Sequence, residues 1–182
     1  MGLALDMICP DHGIIWRRDP MKIINCYVEW AEQKPTRKAV VVYDTMWHST
    51  EAMARALTES LKHYGVYAKM MHLRSCHRSD IITEIHNAGA VLVGSPTLNN
   101  GLFPTVADFL CYMKGLRPAN KVAGVFGSHG WSGEAVKLIR QELEAAKCQV
   151  IDPPVKSVFA PDDEVISACD DLARRVADAL PE

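Results

Sequence analysis

No stretch of this 182-residue sequence approaches the ~20 consecutive apolar residues that a membrane helix needs. It has no Lys/Arg block and no aromatics interleaved with basic residues. Its net charge is −2, which excludes the broad basic field that holds nucleic acid. The six cysteines, Cys9, Cys26, Cys76, Cys111, Cys148 and Cys169, form no C-x-x-C pair. A chain of this length needs no covalent staples, so the expectation is reduced, mostly structural thiols in a cytoplasmic protein. The sequence has neither G-x-x-x-x-G-K-[ST] nor G-x-G-x-x-G, which argues against a triphosphate–magnesium grip and a dinucleotide fingerprint. Without a G-x-S-x-G elbow, a Ser/His/Asp hydrolase has no anchor. The opening "MGLALDMICPDHG" lacks a basic n-region and is interrupted by Asp6, so it does not read as a signal peptide. Asp6 also stands where a myristoylation motif needs Ser or Thr.

What is present is a composition of 48% hydrophobic and 23% charged residues, enough for a proper core. The length fits one domain, or one domain and a fragment of another. Met21, Ile24, Tyr27, Val28 and Ala31 repeat at helical spacing behind Asp19-Pro20, and Glu32 to Lys38 read as a polar linker. From Ala39 the pattern changes. "AVVVYD" predicts a strand buried on both faces, and Ser49 or Thr50 opens a helix that Gly65 ends. "VYAKMMHL" alternates more loosely, as an edge strand does. Ser79-Asp80 is expected to cap a short helix closed by Gly89, and "AVLVGSP" is a third, fully apolar strand. Pro104 begins a helix to Lys114 with a stop at Gly115, and "KVAGVFGS" is a fourth strand. Gly133-Glu134 starts a helix to Lys147. "QVIDPP" and "VKSVFAP" give a fifth strand, broken or continuous, and Pro161-Asp162 caps a last helix to about Leu180. Continuous apolar strands alternating with helices predict an α/β protein: a doubly wound parallel sheet of flavodoxin-like order 2-1-3-4-5, with helices on both faces. The expected division is residues 1–37 and 38–182.

In such a sheet ligands bind beyond the carboxyl ends of the strands, near the switch in strand order, which means the loops after strands 1, 3 and 4. The first loop, "DTMWHST", places Thr45, Ser49 and Thr50 around a helix N-terminus, where free N–H groups and the dipole favour an anion. Capping alone needs a single hydroxyl. With no Lys or Arg in the loop, a cradle of hydroxyls and amides suits a small phosphate monoester. The second loop, "SPTLNNGLFP", supplies Ser95, Pro96, Thr97, Leu98, Asn99, Asn100 and Gly101. The third, "GSHGWSGEA", supplies Ser128, His129, Gly130, Trp131, Ser132 and Gly133. Glycine, serine and asparagine let backbone groups approach a ligand closely. With Trp47, Leu98, His129 and Trp131 they make walls suited to a planar heteroaromatic ring with a hydrogen-bonding edge. His48 and His129 lack neighbouring ligands at metal spacing other than Asp44, so no metal site is expected from them. A receiver domain of the same topology would need an acidic cluster after strand 1 and an aspartate after strand 3, where this chain has Asp44 alone and "GSPT".

"YDTMWHSTEAMA", "VGSPTLNNGLFPT" and "GSHGWSGEAVK", in that order, resemble the flavodoxin domain of flavodiiron proteins (A-type flavoproteins). The likeness spans nearly all of residues 38 to 180. It implies FMN as cofactor. Thr45, Ser49 and Thr50 would donate to its phosphate, and Met46, Trp47 and His48 would add backbone N–H groups. Asn99, Asn100 and Gly101 would wall one side of the ring, and Ser128, Gly130, Trp131 and Gly133 the other. It further implies electron transfer from a rubredoxin or flavin reductase to a diiron centre that reduces O2 or NO, within a head-to-tail homodimer. Two departures stand out: His48 occupies a place often held by Gly, and His129 one often held by Tyr. Upstream, "MICPDHGIIWRRDP" is similar to the tail of the diiron domain, where His12 matches an iron ligand whose partners have no counterpart here. The expectation is therefore an electron-carrier portion (a fragment, an excised domain or a shortened gene product) with no catalytic residue of its own. The rival expectations are a flavodoxin-like NAD(P)H:quinone reductase and a binding or assembly module without flavin.

Overall fold

The structure is a computed structural model and describes residues 4–182. It divides into two compact units with the break at Lys34–Pro35. In the first, Ile8 and Trp16 exchange both backbone hydrogen bonds in an antiparallel bridge, at 3.1 and 2.9 Å. Helix α1 follows (Met21–Glu32), and none of its residues is buried. Its N-cap is Pro20, with no side-chain cap, and Asp19 before it has φ 50°.

The second unit holds β1 (Thr36–Tyr43), α2 (Ser49–His63), β2 (Tyr67–His72), α3 (Arg78–His86), β3 (Ala88–Pro96), α4 (Pro104–Leu116), β4 (Val122–His129), α5 (Glu134–Ala145), β5 (Gln149–Val150), β6 (Val155–Val158) and α6 (Asp163–Asp178). Every strand pair is parallel, in the order β2-β1-β3-β4-β5. This is the order expected for a flavodoxin-like sheet. The fifth strand is indeed broken: β5 pairs with the start of β4 and β6 with its end. β2 lies at the edge and is only partly buried, whereas all of β3 is buried.

Alternation along β1 sends residues to opposite faces, as a pleated strand must. Ala39, Val41 and Tyr43 pack with Met53, Leu57 and Leu61 of α2 and Leu172 and Val176 of α6. Val40 and Val42 pack with Ile81 and Ile85 of α3, Phe109 and Met113 of α4, and Ile139 and Leu143 of α5. Between β3 and β4, large residues face glycines: Leu92 is in register with Gly124, and Gly94 with Phe126. A Cβ at Gly94 would lie 2.1 Å from the Phe126 ring.

Several helix ends differ from the sequence reading. His77, not Ser79-Asp80, caps α3, its Nδ1 accepting from Ser79 N–H at 3.2 Å. Gly89 does not close that helix; it sits inside β3, where Leu180 and the Thr36 carbonyl leave no room for a Cβ. Gly115 lies within α4, and the turn-off is Arg117 in the left-handed conformation. α5 ends at Ala145, with Lys147 left-handed beyond it. Gly65, at φ 73°, does follow α2, and Asp162 does cap α6, accepting from Val165 N–H at 2.9 Å.

Candidate cofactor site

Parallel pairing brings the ends of β1, β3 and β4 to one edge of the sheet, and their three loops meet there. Tyr43 pairs with Gly94, and Pro96 with Ser128. Beyond them the backbone continues the contact: Thr97 N–H donates to the Ser128 carbonyl at 2.8 Å, and the Thr97 hydroxyl accepts from Ala135 N–H at 3.3 Å. The hydroxyls of Thr50 and Ser128, both buried, are 2.8 Å apart and tie the first loop to the third.

The first loop enters α2 through His48 in the left-handed conformation, φ 65°. This backbone explains why glycine suits the position; His48 is held there by its Nδ1, 2.8 Å from Glu51 Oε2. No side chain caps α2, so its leading N–H groups point outward without intrahelical partners. Beside them Thr45 Oγ1 is buried with no hydrogen-bond partner. Buried hydroxyls nearly always find a partner. An orphan next to an uncapped helix start fits a phosphate monoester held there, and FMN carries one. Ser49, partly exposed, opens the helix, while Met46, Trp47 and His48 are exposed.

The second loop is a tight two-residue turn. Leu98 and Gly101 exchange backbone hydrogen bonds at 3.1 and 2.9 Å, with Asn99 at φ 50° and Asn100 at φ 55°. Two left-handed residues in succession define the type I′ turn that Asn tolerates. In the third loop, Gly133 has φ 74°, and a Cβ there would lie 3.0 Å from the His129 ring. His129 Nδ1 is a second buried atom without a partner. Ser132 Oγ donates to Glu134 Oε2 at 2.6 Å and reaches Asn100 Oδ1 at 3.5 Å, bridging the two walls. Trp47 is 82% exposed and Trp131 95%, so both indoles are free to lie against a ring. Gly130 is exposed.

Ser95 stands apart from the other expected residues. It is fully buried, donates to the Pro96 carbonyl at 2.8 Å and accepts from Phe103 N–H at 3.1 Å, so its hydroxyl shapes the loop from within. Pro96 is likewise buried as the last residue of β3. His12 is exposed, and among the described residues no three His, Cys, Asp or Glu side chains gather as a metal ion would require.

Sequence reasoning missed the layer beneath the cradle. Asp44, fully buried, takes the Thr45 N–H at 2.6 Å and also accepts from the Thr105 hydroxyl and from His72 Nε2 at 3.2 Å. Arg74 Nε lies 3.0 Å from Asp44 Oδ1 and 3.2 Å from Oδ2, and Arg74 Nη2 donates to the Thr45 carbonyl at 3.1 Å. Burial alone would raise the Asp44 pKa; the hydrogen bonds from Thr105, Thr45, His72 and Arg74 outweigh it and hold the carboxyl below its ordinary value. The first loop contains no cation, but the fold carries one to it from the loop after β2. These partners lie 28 to 61 residues from Asp44, except Thr45, so no local motif signals them. Phe159 is a second omission. At φ 60° and 67% exposed, its ring rests against Gly130, and its N–H donates to the His129 carbonyl at 2.8 Å.

A doubly wound sheet with an anion cradle at its switch point defines a flavodoxin-type domain. The family model for flavodoxin matches residues 41–178. The chain is 49% identical over 181 residues to the rubredoxin-oxygen oxidoreductase of Megalodesulfovibrio gigas, covering 98% of this chain and 45% of that protein. It is 47% identical over 178 residues to the nitric oxide reductase of Moorella thermoacetica, covering 97% and 45%. The solved structure of the rubredoxin oxygen:oxidoreductase from Desulfovibrio gigas superposes with a TM-score of 0.94 at 48% identity, over 96% of this chain and 44% of that one. The chain thus spans less than half the length of these relatives. It belongs to the flavodoxin family, corresponds to the flavodoxin part of flavodiiron proteins, and takes FMN as its cofactor.

Proposed function

We propose that this chain is a cytoplasmic electron carrier that receives electrons from a rubredoxin or a flavin reductase. It passes them to a diiron centre of the kind its longer relatives use in reducing O2 or NO. The relatives' names, rubredoxin-oxygen oxidoreductase and nitric oxide reductase, support that direction. The observation that carries the siting is the orphaned Thr45 hydroxyl beside the uncapped start of α2. FMN, when bound, supplies one- and two-electron transfer. The chain's own residues bind and orient it. Thr45 and Ser49 donate to the phosphate, with backbone N–H groups of Met46, Trp47 and His48 beside them; Thr50, whose hydroxyl is accepting from or donating to Ser128, reaches it only by giving up or sharing that bond. The Asn99–Gly101 turn and the Ser128–Gly133 loop wall the ring, and Trp47 and Trp131 supply flat apolar cover. No side chain is needed as acid or base. In this reading residues 1–37 correspond to the tail of the diiron domain of the longer relatives, with His12 matching one of its iron ligands.

The purified chain, mixed with FMN and desalted, is expected to keep the flavin's visible absorption. A colourless chain that releases all added FMN overturns the reading.

A further inference from the structure

The cradle has an unusual foundation. The residue immediately before it is a fully buried carboxylate, Asp44, while the ligand the cradle suits is a phosphate. A phosphate held by Thr45 would stand near this carboxylate, and two neighbouring anions repel each other where the protein interior screens them weakly. Asp44 cannot simply be dispensed with, because its carboxylate organises the loop: it holds the Thr45 N–H at 2.6 Å and gathers the Thr105 hydroxyl and His72 Nε2. His72 is itself fixed, stacked on Tyr43 at 5.0 Å with its Nδ1 3.3 Å from the Ser75 hydroxyl.

Arg74 resolves the conflict. Its Nε meets both carboxylate oxygens, its Nη2 reaches the Thr45 carbonyl at 3.1 Å, and its guanidinium lies 5.0 Å above the Phe103 ring. Only a planar fork satisfies carboxylate, carbonyl and aromatic face together; a lysine ammonium does not. The side chain is half exposed, and these contacts fix its guanidinium against the loop.

Building on the FMN reading above, we propose that Arg74 is a positioning and specificity-determining residue for the phosphate. By neutralising the buried Asp44 carboxylate from below, it makes the loop select a phosphorylated flavin over an unphosphorylated one. Arg74 acts through Asp44 and Thr45 rather than as a direct ligand.

The test is titration of the apoprotein with FMN and with riboflavin, read by flavin fluorescence at low and high salt. Wild type, Arg74→Gln and the double variant Asp44→Asn/Arg74→Gln are compared. In Arg74→Gln the FMN affinity is expected to fall about tenfold more than the riboflavin affinity, as befits an unpaired buried charge facing a second anion, and less so at high salt. The double variant, with no carboxylate left unpaired, is expected to recover most of the FMN preference. If Arg74→Gln does not fold, Arg74→Lys carries the test: an FMN-to-riboflavin ratio below that of wild type supports the positioning role, and an unchanged ratio overturns it. An FMN-to-riboflavin ratio unchanged in Arg74→Gln overturns this inference while leaving the FMN reading intact. Wild-type protein that binds neither flavin overturns the FMN reading itself, and this inference with it.

Discussion

The two ends of the parallel sheet both bury polar side chains, but they treat them differently. At the end where the strands begin, Lys121 is 3% exposed and donates to the carbonyls of His86 and Ala88 at 2.9 and 2.7 Å. Beside it Arg37 donates to carbonyls of Gly65, Tyr64, Ala177 and Pro181. These are closures: each charge ties chain ends together. At the end where the strands finish, Thr45 Oγ1 and His129 Nδ1 are buried without partners. Lys121 and Arg37 have spent their donors on the fold, whereas Thr45 and His129 hold a polar atom in reserve at a cost in stability. The contrast separates structure from function more sharply than residue type does, since both ends use ordinary polar side chains.

The comparison can be broken most forcefully at Asp44. Asp44→Asn places an amide against three donor groups and takes from Arg74 its carboxylate partner. A loss of about 3 kcal/mol in unfolding free energy is expected by urea denaturation. Because the folded-state pKa of Asp44 is depressed, its contribution is full above the ordinary aspartate value and is lost as pH falls through the lower folded value. The gap between wild type and variant should therefore close in acid.

At the opposite end, burial pushes Lys121 down to about 8 from an ordinary 10.5. As pH rises from about 8 to 10.5, the unfolded chain still holds a proton that the folded chain has released, so stability conferred by position 121 increases. Wild type should gain roughly 3 kcal/mol relative to Lys121→Met across that window, measured by denaturation at stepped pH. The difference between the two proteins is the informative quantity. The buried thiols of Cys148 and Cys169, pushed up to about 11 and about 12, contribute the opposite slope in both.

A smaller effect sharpens the comparison directly. Thr45→Val removes the orphaned hydroxyl at constant shape. The apoprotein is expected to gain about 1 kcal/mol, because an unsatisfied buried group disappears, while FMN affinity falls about tenfold. A reserve group and a structural group differ in that sign. Smallest of all, Trp131→Ala should leave unfolding within about 0.5 kcal/mol of wild type, since the indole is almost wholly exposed, and weaken flavin binding only a few-fold.

Much of this was readable in the sequence. The apolar runs of β1, β3 and β4 and the composition of the loops that follow them locate the site, because parallel strands must be buried on both faces and their finishing loops must converge. Thr45 and Thr50 stand out as hydroxyls in excess of what a cap needs. Two kinds of feature were not readable. Glycine has several uses: Gly89 and Gly115 looked like helix stops, yet one makes room for Leu180 in the sheet and the other lies inside a helix. And Asp44's partners come from β2, the loop after it and α4, so the carboxylate's role exists only once three segments have assembled. An isolated aspartate at a strand end carries no mark of what will close around it.

The large–small pairs between β3 and β4 have a reach beyond the core. Leu92 beside Gly124 and Phe126 beside Gly94 work as a key cut in two places, because a one-residue slip would send a strand's apolar set to the opposite face and part each large side chain from its glycine. The second and third loops leave these same two strands only a few residues further on. Their relative height is gauged by hydrocarbon buried in the core.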